Sequence, residues 1–161
     1  MASTKEQLIA DLTAGGERAL AVLRAVPPDQ FEKGRYENGW NGRQILAHVA
    51  AIEWTYGRLI HLAKEPAPTT EGSDERAATV RGGMDGYNAR QVEKRANASI
   101  AELLSEFDEN RRKTIATVAA ADESLFDTPV RSAGGRTGTL AQVFREVAIE
   151  HLELHVADIA R

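Results

Sequence analysis

A chain of 161 residues suits a single domain, residues 1–161, able to bury a core of its own, and 42% hydrophobic with 27% charged residues argues against disorder. Lys and Arg number 20 against 24 Asp and Glu, a formal charge of -4, and no basic stripe is interleaved with aromatics, which disfavours a nucleic-acid partner. No apolar run reaches the roughly 20 residues that span a bilayer, and Met1 to Glu6 carries no signal-peptide core, so the expected setting is the cytoplasm, away from membranes. Cysteine is absent, which excludes disulfides, thiolate metal sites and cysteine nucleophiles and leaves His and carboxylate as metal donors.

Four segments open with a capping side chain followed three residues later by Glu or Gln, the pattern that satisfies two otherwise unpaired helix donors: Ser3 with Glu6, Asn41 with Gln44, Ser99 with Glu102, and Thr139 with Gln142. The first predicted helix runs from about Thr4 to Val26, with Leu8, Leu12, Ala19, Leu23 and Val26 on one stripe, and stops at Pro27 and Pro28. Gly15 and Gly16 in its middle each cost about 1 kcal/mol relative to Ala, so a close helix approach or a kink is expected there. The second runs from about Asn41 to Ala63 with Ile45, His48, Val49, Ile52, Tyr56 and Leu59 inward. Lys64 to Gly83 is polar, contains Pro66, Pro68 and Gly72, and reads as a long crossover.

A short helix from about Met84 to Arg95 leads to the third main helix, about Ser99 to Ala120, whose stripe holds Ile100, Leu103, Leu104, Phe107, Thr114 and Val118. Asp122 to Gly138 is a second irregular connection, with Thr128 to Ser132 as a brief extended piece. The fourth helix, about Thr139 to Ala160, places Leu140, Phe144, Val147, His151, His155 and Asp158 along one side. The expected class is all-α, a four-helix bundle.

His151 and His155 stand at i and i+4, one imidazole above the other on one helical face, the spacing that lets two rings share a metal ion. His48 is the candidate third ligand. It lies about seven residues into the second helix, and the pair lies on average about seven residues before the end of the fourth. At 1.5 Å per residue the three rings are level only if those helices are antiparallel; in a parallel pair His48 is displaced by roughly 10 Å. A simple up-down-up-down bundle makes them parallel, whereas a crossover that leaves the second and third helices parallel brings the rings together. A histidine on an apolar stripe is also a common core residue hydrogen-bonded to a neighbour, so a metal-free reading stands beside the metal one. Three neutral imidazoles would leave coordination positions open for water or substrate, and such a site accepts several divalent metals.

The run Trp40, Arg43, Ile45, Leu46, Ala47, His48 and Val49, with the ending His151-Leu152-Glu153-Leu154-His155, resembles the DinB/YfiT-like superfamily. Asp85 to Arg90 and the ending Asp158-Ile159 are similar to its ClbS/DfsB branch. The resemblance covers nearly the whole chain through short motifs. It implies a four-helix bundle with an unusual crossover between helices 2 and 3 (up-down-down-up), commonly dimeric. It further implies a divalent metal, Zn or Ni, held by His48, His151 and His155. Relatives include thiol-dependent transferases and isomerases, such as mycothiol-dependent maleylpyruvate isomerase, and a genotoxin-protection protein that does not rely on the histidines.

The expectation is therefore a metal-dependent thiol transferase or hydrolase acting on a small molecule, with a low-molecular-weight thiol as a candidate cofactor. Its competitor is a metal-free binding or self-protection bundle. Asp158 shares the face of His151 and His155 and is the candidate to orient an imidazole, or else a surface carboxylate paired with a cation at the helix end. Trp40, Trp54, Tyr56, Tyr87, Asn88 and Arg90 are candidate pocket residues, with packing as their other role. Arg131 and Arg136 flank a glycine-rich turn suited to an anion or simply to solvent. Glu53 and Glu150 point away from the histidine stripe and read as surface charges, and His61 as a solvated residue.

Overall fold

A computed structural model describes residues 1–36, 39–65 and 83–161. All four expected capping boxes are formed, at Ser3, Asn41, Ser99 and Thr139, each with both reciprocal hydrogen bonds. They open α1 (Thr4–Ala25), α2 (Gly42–Glu53), α5 (Ile100–Ala120) and α6 (Leu140–Arg145). Between these lie α3 (Arg58–Lys64) and α4 (Gly83–Lys94), which ends before Ser99 and does not fuse with α5. The last α-helix, α7 (His151–Ala160), follows α6 through a π turn at Glu146–Glu150. Two short strands, β1 (Pro129–Arg131) and β2 (Thr137–Thr139), pair antiparallel. The extended piece expected near Thr128 to Ser132 is β1; its partner β2, rich in Thr and Gly, has no apolar alternation to announce it.

The second predicted helix is two helices. Thr55, Tyr56, Arg58, Leu59 and Ile60 donate to the carbonyl three residues back, so the chain tightens through Trp54 to Gly57 before α3 begins. Thr55 adds its hydroxyl to Ile52 O at 2.7 Å, a local bond that competes with the α-helical ladder.

Cross-helix contacts fix the directions. Ala50, Glu53 and Gly57 meet Asn110, Thr114 and Thr117 in that order, so α2 and α5 are parallel. Lys5 reaches Ala119 O while Leu12 O meets Arg111, so α1 and α5 are antiparallel. Asp11, Gly15 and Arg18 meet Arg145, Ile149 and Glu153, so α1 runs parallel to the last helical stretch. Tyr56 meets Val147 while His48 faces His151 and His155, so α2 is antiparallel to it. The bundle is thus up-down-down-up, as the level argument requires. The connection from 66 to 82, expected as the crossover, lies outside the described residues. Among the described residues no helix is long and apolar enough to cross a membrane.

The core comprises two apolar clusters, one around Leu8, Leu12, Tyr56, Phe126, Leu140 and Phe144, the other around Leu23, Phe31, Leu46, Phe107, Leu152 and Ile159. Between them sits a buried ion pair. Arg111 Nε lies 2.8 Å from Glu53 Oε1, and both side chains are almost wholly excluded from solvent. Glu53 is therefore not a surface charge. It does point away from His48, but α2 is enclosed by α4, α5 and α7, so nearly every position from Gly42 to Ala51 is buried too. Of the two glycines in α1, Gly16 serves a close approach, since a Cβ there would stand 3.1 Å from Arg111 Cγ, whereas one on Gly15 would meet nothing nearer than 3.8 Å.

Candidate metal centre

His48 is buried on α2, while His151 and His155 are half-buried on α7. The fourth helix was expected to turn His151 and His155 to the core along with Val147. The π turn shifts the buried line to Leu140, Phe144, Ala148, Leu152, Val156 and Ile159, leaving the two histidines at its edge, open on one side. Ring centroids lie 5.0 Å apart for His48 and His155, 4.3 Å for His151 and His155, and 6.4 Å for His48 and His151. One nitrogen from each ring lies within 4.8 Å of the others.

The hydrogen bonds assign a tautomer. Tyr36 Oη donates to Asp158 Oδ2 at 2.6 Å, and a phenol has one proton. The 2.9 Å contact of Tyr36 Oη with His155 Nδ1 must then be Nδ1–H donating to the phenol oxygen. His155 Nε2 is left with a lone pair turned towards His151 Nε2, 2.8 Å away. Asp158 therefore acts on His155 through Tyr36, and Arg161, 4.0 Å from its other oxygen, pairs with it as the alternative reading expected. Tyr36 was missed: it lies in the loop before α2, with no periodicity to point it at a helix about 120 residues away.

All three imidazoles are held neutral. Burial pushes His48 down to about 4, with His151 adding to the effect. Burial also takes His155 to about 3, and the adjacent His151 and His48 outweigh the opposing pull of Asp158. His151 is lowered by burial and then by the Arg136 guanidinium. Burial and the Asp158 carboxylate raise the Tyr36 phenol, so it stays protonated as the tautomer requires.

The donor set fits a divalent metal. Tetrahedral bonds of roughly 2.0–2.1 Å to nitrogen place ligand atoms about 3.3 Å apart, a separation compatible with one nitrogen from each ring lying within 4.8 Å of the others. His151 would move its Nε2 proton to Nδ1 to offer that lone pair, a tautomer change with no net charge.

Trp40 packs against His48 with centroids 5.4 Å apart and also lines a cleft of about 460 Å³, to whose walls none of the three histidines contributes. Its other walls include Glu32, Arg43, Ala47, Val92 and Glu93. Of the expected pocket residues only Trp40 is among them. Tyr56 is buried in the bundle with its hydroxyl donating to Val147 O, because the turn after α2 directs it inward. Tyr87 and Asn88 are half-buried on α4, which faces the cleft with Ala89, Val92 and Glu93 instead, joined by Ala96 from the turn that follows. Trp54 is largely exposed beneath Arg58, Arg90 lines no part of the cleft, and His61 and Glu150 are exposed as expected. Arg136 projects from the hairpin near His151, 4.0 Å from Glu146, and Arg131 is exposed on β1.

Fold and site together define an all-α bundle with a three-imidazole cluster between antiparallel helices. The family profile described as DinB superfamily matches residues 6–159, and the chain belongs to that superfamily. Among solved structures it is similar to the mycothiol-dependent maleylpyruvate isomerase, with a TM-score of 0.70 and 16% identity. The match covers 99% of this chain but 63% of that one, so this chain spans less than two thirds of the isomerase's length. YfiT from Bacillus subtilis, a probable metal-dependent hydrolase with an unusual four-helix bundle topology, matches with a TM-score of 0.63 and 17% identity, covering 96% of this chain and 83% of that one. No curated protein sequence matches significantly. At these identities the likeness establishes the fold.

Proposed function

We propose that the protein is a metal-dependent enzyme of the thiol-transferase or hydrolase kind, acting on a small molecule, with His48, His151 and His155 holding one divalent ion, Zn or Ni. The observation that carries this reading is the convergence of three neutral imidazoles, two of them half-buried, with Trp40 linking His48 to the wall of a cleft. A divalent ion held by His48, His151 and His155 would supply Lewis acidity, which lowers the pKa of a bound water to roughly 7 or keeps a bound thiol as thiolate. The protein's own groups prepare for it. Tyr36 and Asp158 fix the His155 tautomer and ring plane. Burial keeps protons off His48 and His155, so they remain ligands into mildly acidic solution.

The isomerase's dependence on mycothiol and the description of YfiT as a probable metal-dependent hydrolase support this reading by likeness of fold. A second reading follows from one observation: His151 and His155 satisfy each other at 2.8 Å without an ion, as a metal-free binding or protection bundle of the ClbS/DfsB kind would require. The test is turnover of electrophilic acceptors with a panel of low-molecular-weight thiols, with and without added Zn or Ni. The proposal expects activity that chelator removes and His151→Ala lacks; activity indifferent to both overturns the metal's role, and small-molecule binding without turnover, indifferent to both, overturns the proposal in favour of the second reading.

A further inference from the structure

The π turn is set immediately before His151, and two buried side chains hold it. A π turn inserts a residue and leaves its carbonyls poorly used by the helix, so they need other donors when buried. Tyr56 Oη donates to Val147 O at 2.7 Å. Arg111 Nη2 donates to Ala148 O, its Nη1 to Leu12 O at 3.2 Å, and its remaining edge faces Glu53. One guanidinium thus joins α1, α2, α5 and the π turn, and Gly16 makes room for its stem. Relaxing the π turn to α geometry would remove its extra residue and rotate everything after it by roughly 100°, carrying His151 and His155 away from His48.

We infer that Arg111 and Tyr56 are positioning residues that hold the π turn at Glu146–Glu150 and thereby aim His151 and His155 at His48. This rests on the metal reading only for its consequence in binding; the aiming of the rings is a property of the metal-free protein. The test uses Tyr56→Phe, which removes one hydroxyl and keeps the ring, and Arg111→Lys, which keeps the charge but cannot reach all three partners. Val118→Ala, two helical turns from Arg111, is the control for simple loss of stability. Imidazole nitrogen resonances of the metal-free protein report the His151 and His155 tautomers. Titration with Co²⁺ reports affinity and, through its visible absorption, coordination.

The expected result is altered tautomer populations, a Co²⁺ affinity weakened about tenfold or more and a changed Co²⁺ spectrum in both variants, with none of the three changed in Val118→Ala. Wild-type imidazole signals in Tyr56→Phe overturn the inference, and this variant decides alone if Arg111→Lys does not fold. A wild-type protein that takes up no Co²⁺ overturns the metal reading, while the imidazole signals still decide the role of Tyr56 and Arg111.

Discussion

Replacing Arg111 with Met keeps most of the stem in its slot against Gly16 but strips the donors from Leu12 O, Ala148 O and the Glu53 carboxylate. Removing one partner of a buried pair costs about 3–5 kcal/mol, because the other charge is left uncompensated in the core. At about 2–4 °C per kcal/mol for a domain of this size, the midpoint should fall by roughly 6–20 °C. The cost should also depend on pH. Burial lifts Glu53 to about 7 even against the opposing pull of Arg111, so without the guanidinium the carboxyl titrates higher still. A carboxyl whose folded pKa exceeds its unfolded value binds more protons in the folded state, so stability is gained as pH falls towards the unfolded value. The deficit of Arg111→Met should therefore be larger at pH 8 than at pH 6. Urea unfolding of the wild type, Arg111→Met, Glu53→Met and the double variant at both pH values measures this. The double variant should be destabilised by at least about 2 kcal/mol less than the sum of the singles, since removing both charges leaves none stranded. A cost for Arg111→Met below about 1 kcal/mol at pH 8, or a deficit that grows on acidification, refutes the reasoning.

Tyr36→Phe removes the oxygen between His155 and Asp158, and should weaken Zn²⁺ binding about 10–100-fold in competition titrations while unfolding changes little. His48 has a folded pKa near 4, below its unfolded value near 6.5, so its contribution to stability is present above pH 6.5 and is lost as pH falls from there towards 4. The full difference is worth about 3 kcal/mol, and His48→Gln should lose that much less stability than wild type between pH 7 and 4 in metal-free urea unfolding. Gly15→Ala should stabilise by about 0.5–1 kcal/mol, since its Cβ would meet Ile149 and Arg18 at an ordinary 3.8 Å. Gly16→Ala should forfeit that gain against Arg111, and paired thermal melts distinguish the two.

Much of this arrangement is written locally. The four capping boxes depend on residues three apart, so the helix starts at Ser3, Asn41, Ser99 and Thr139 are readable from the chain alone. The antiparallel relation of α2 and α7 followed from the level of His48 against His151 and His155. What escaped depends on contacts between distant segments. Arg111 falls four residues after Phe107 on a buried stripe, yet a polar run from Asp108 to Lys113 reads as solvent-facing unless Glu53 is known to face it. Glu53 follows Val49 by four residues, so its burial was legible as periodicity; the 100° count from His48 showed only that it avoids the histidines. The four-residue spacing of Leu140, Phe144, Ala148, Leu152 and Val156 also suits a drifting α-helical stripe, so it does not announce the π turn, whose stabilising donors come from α5 and from the turn after α2.

The central claim is tested most directly by X-ray absorption at the metal edge of untagged protein loaded with Zn²⁺ or Ni²⁺, beside elemental analysis. Three imidazoles should give one ion per chain with three nitrogen ligands, at roughly 2.0–2.1 Å for Zn, and His151→Ala should abolish that signature. A protein that holds no stoichiometric ion after either metal is offered, or whose ion keeps its coordination in His151→Ala, contradicts the account.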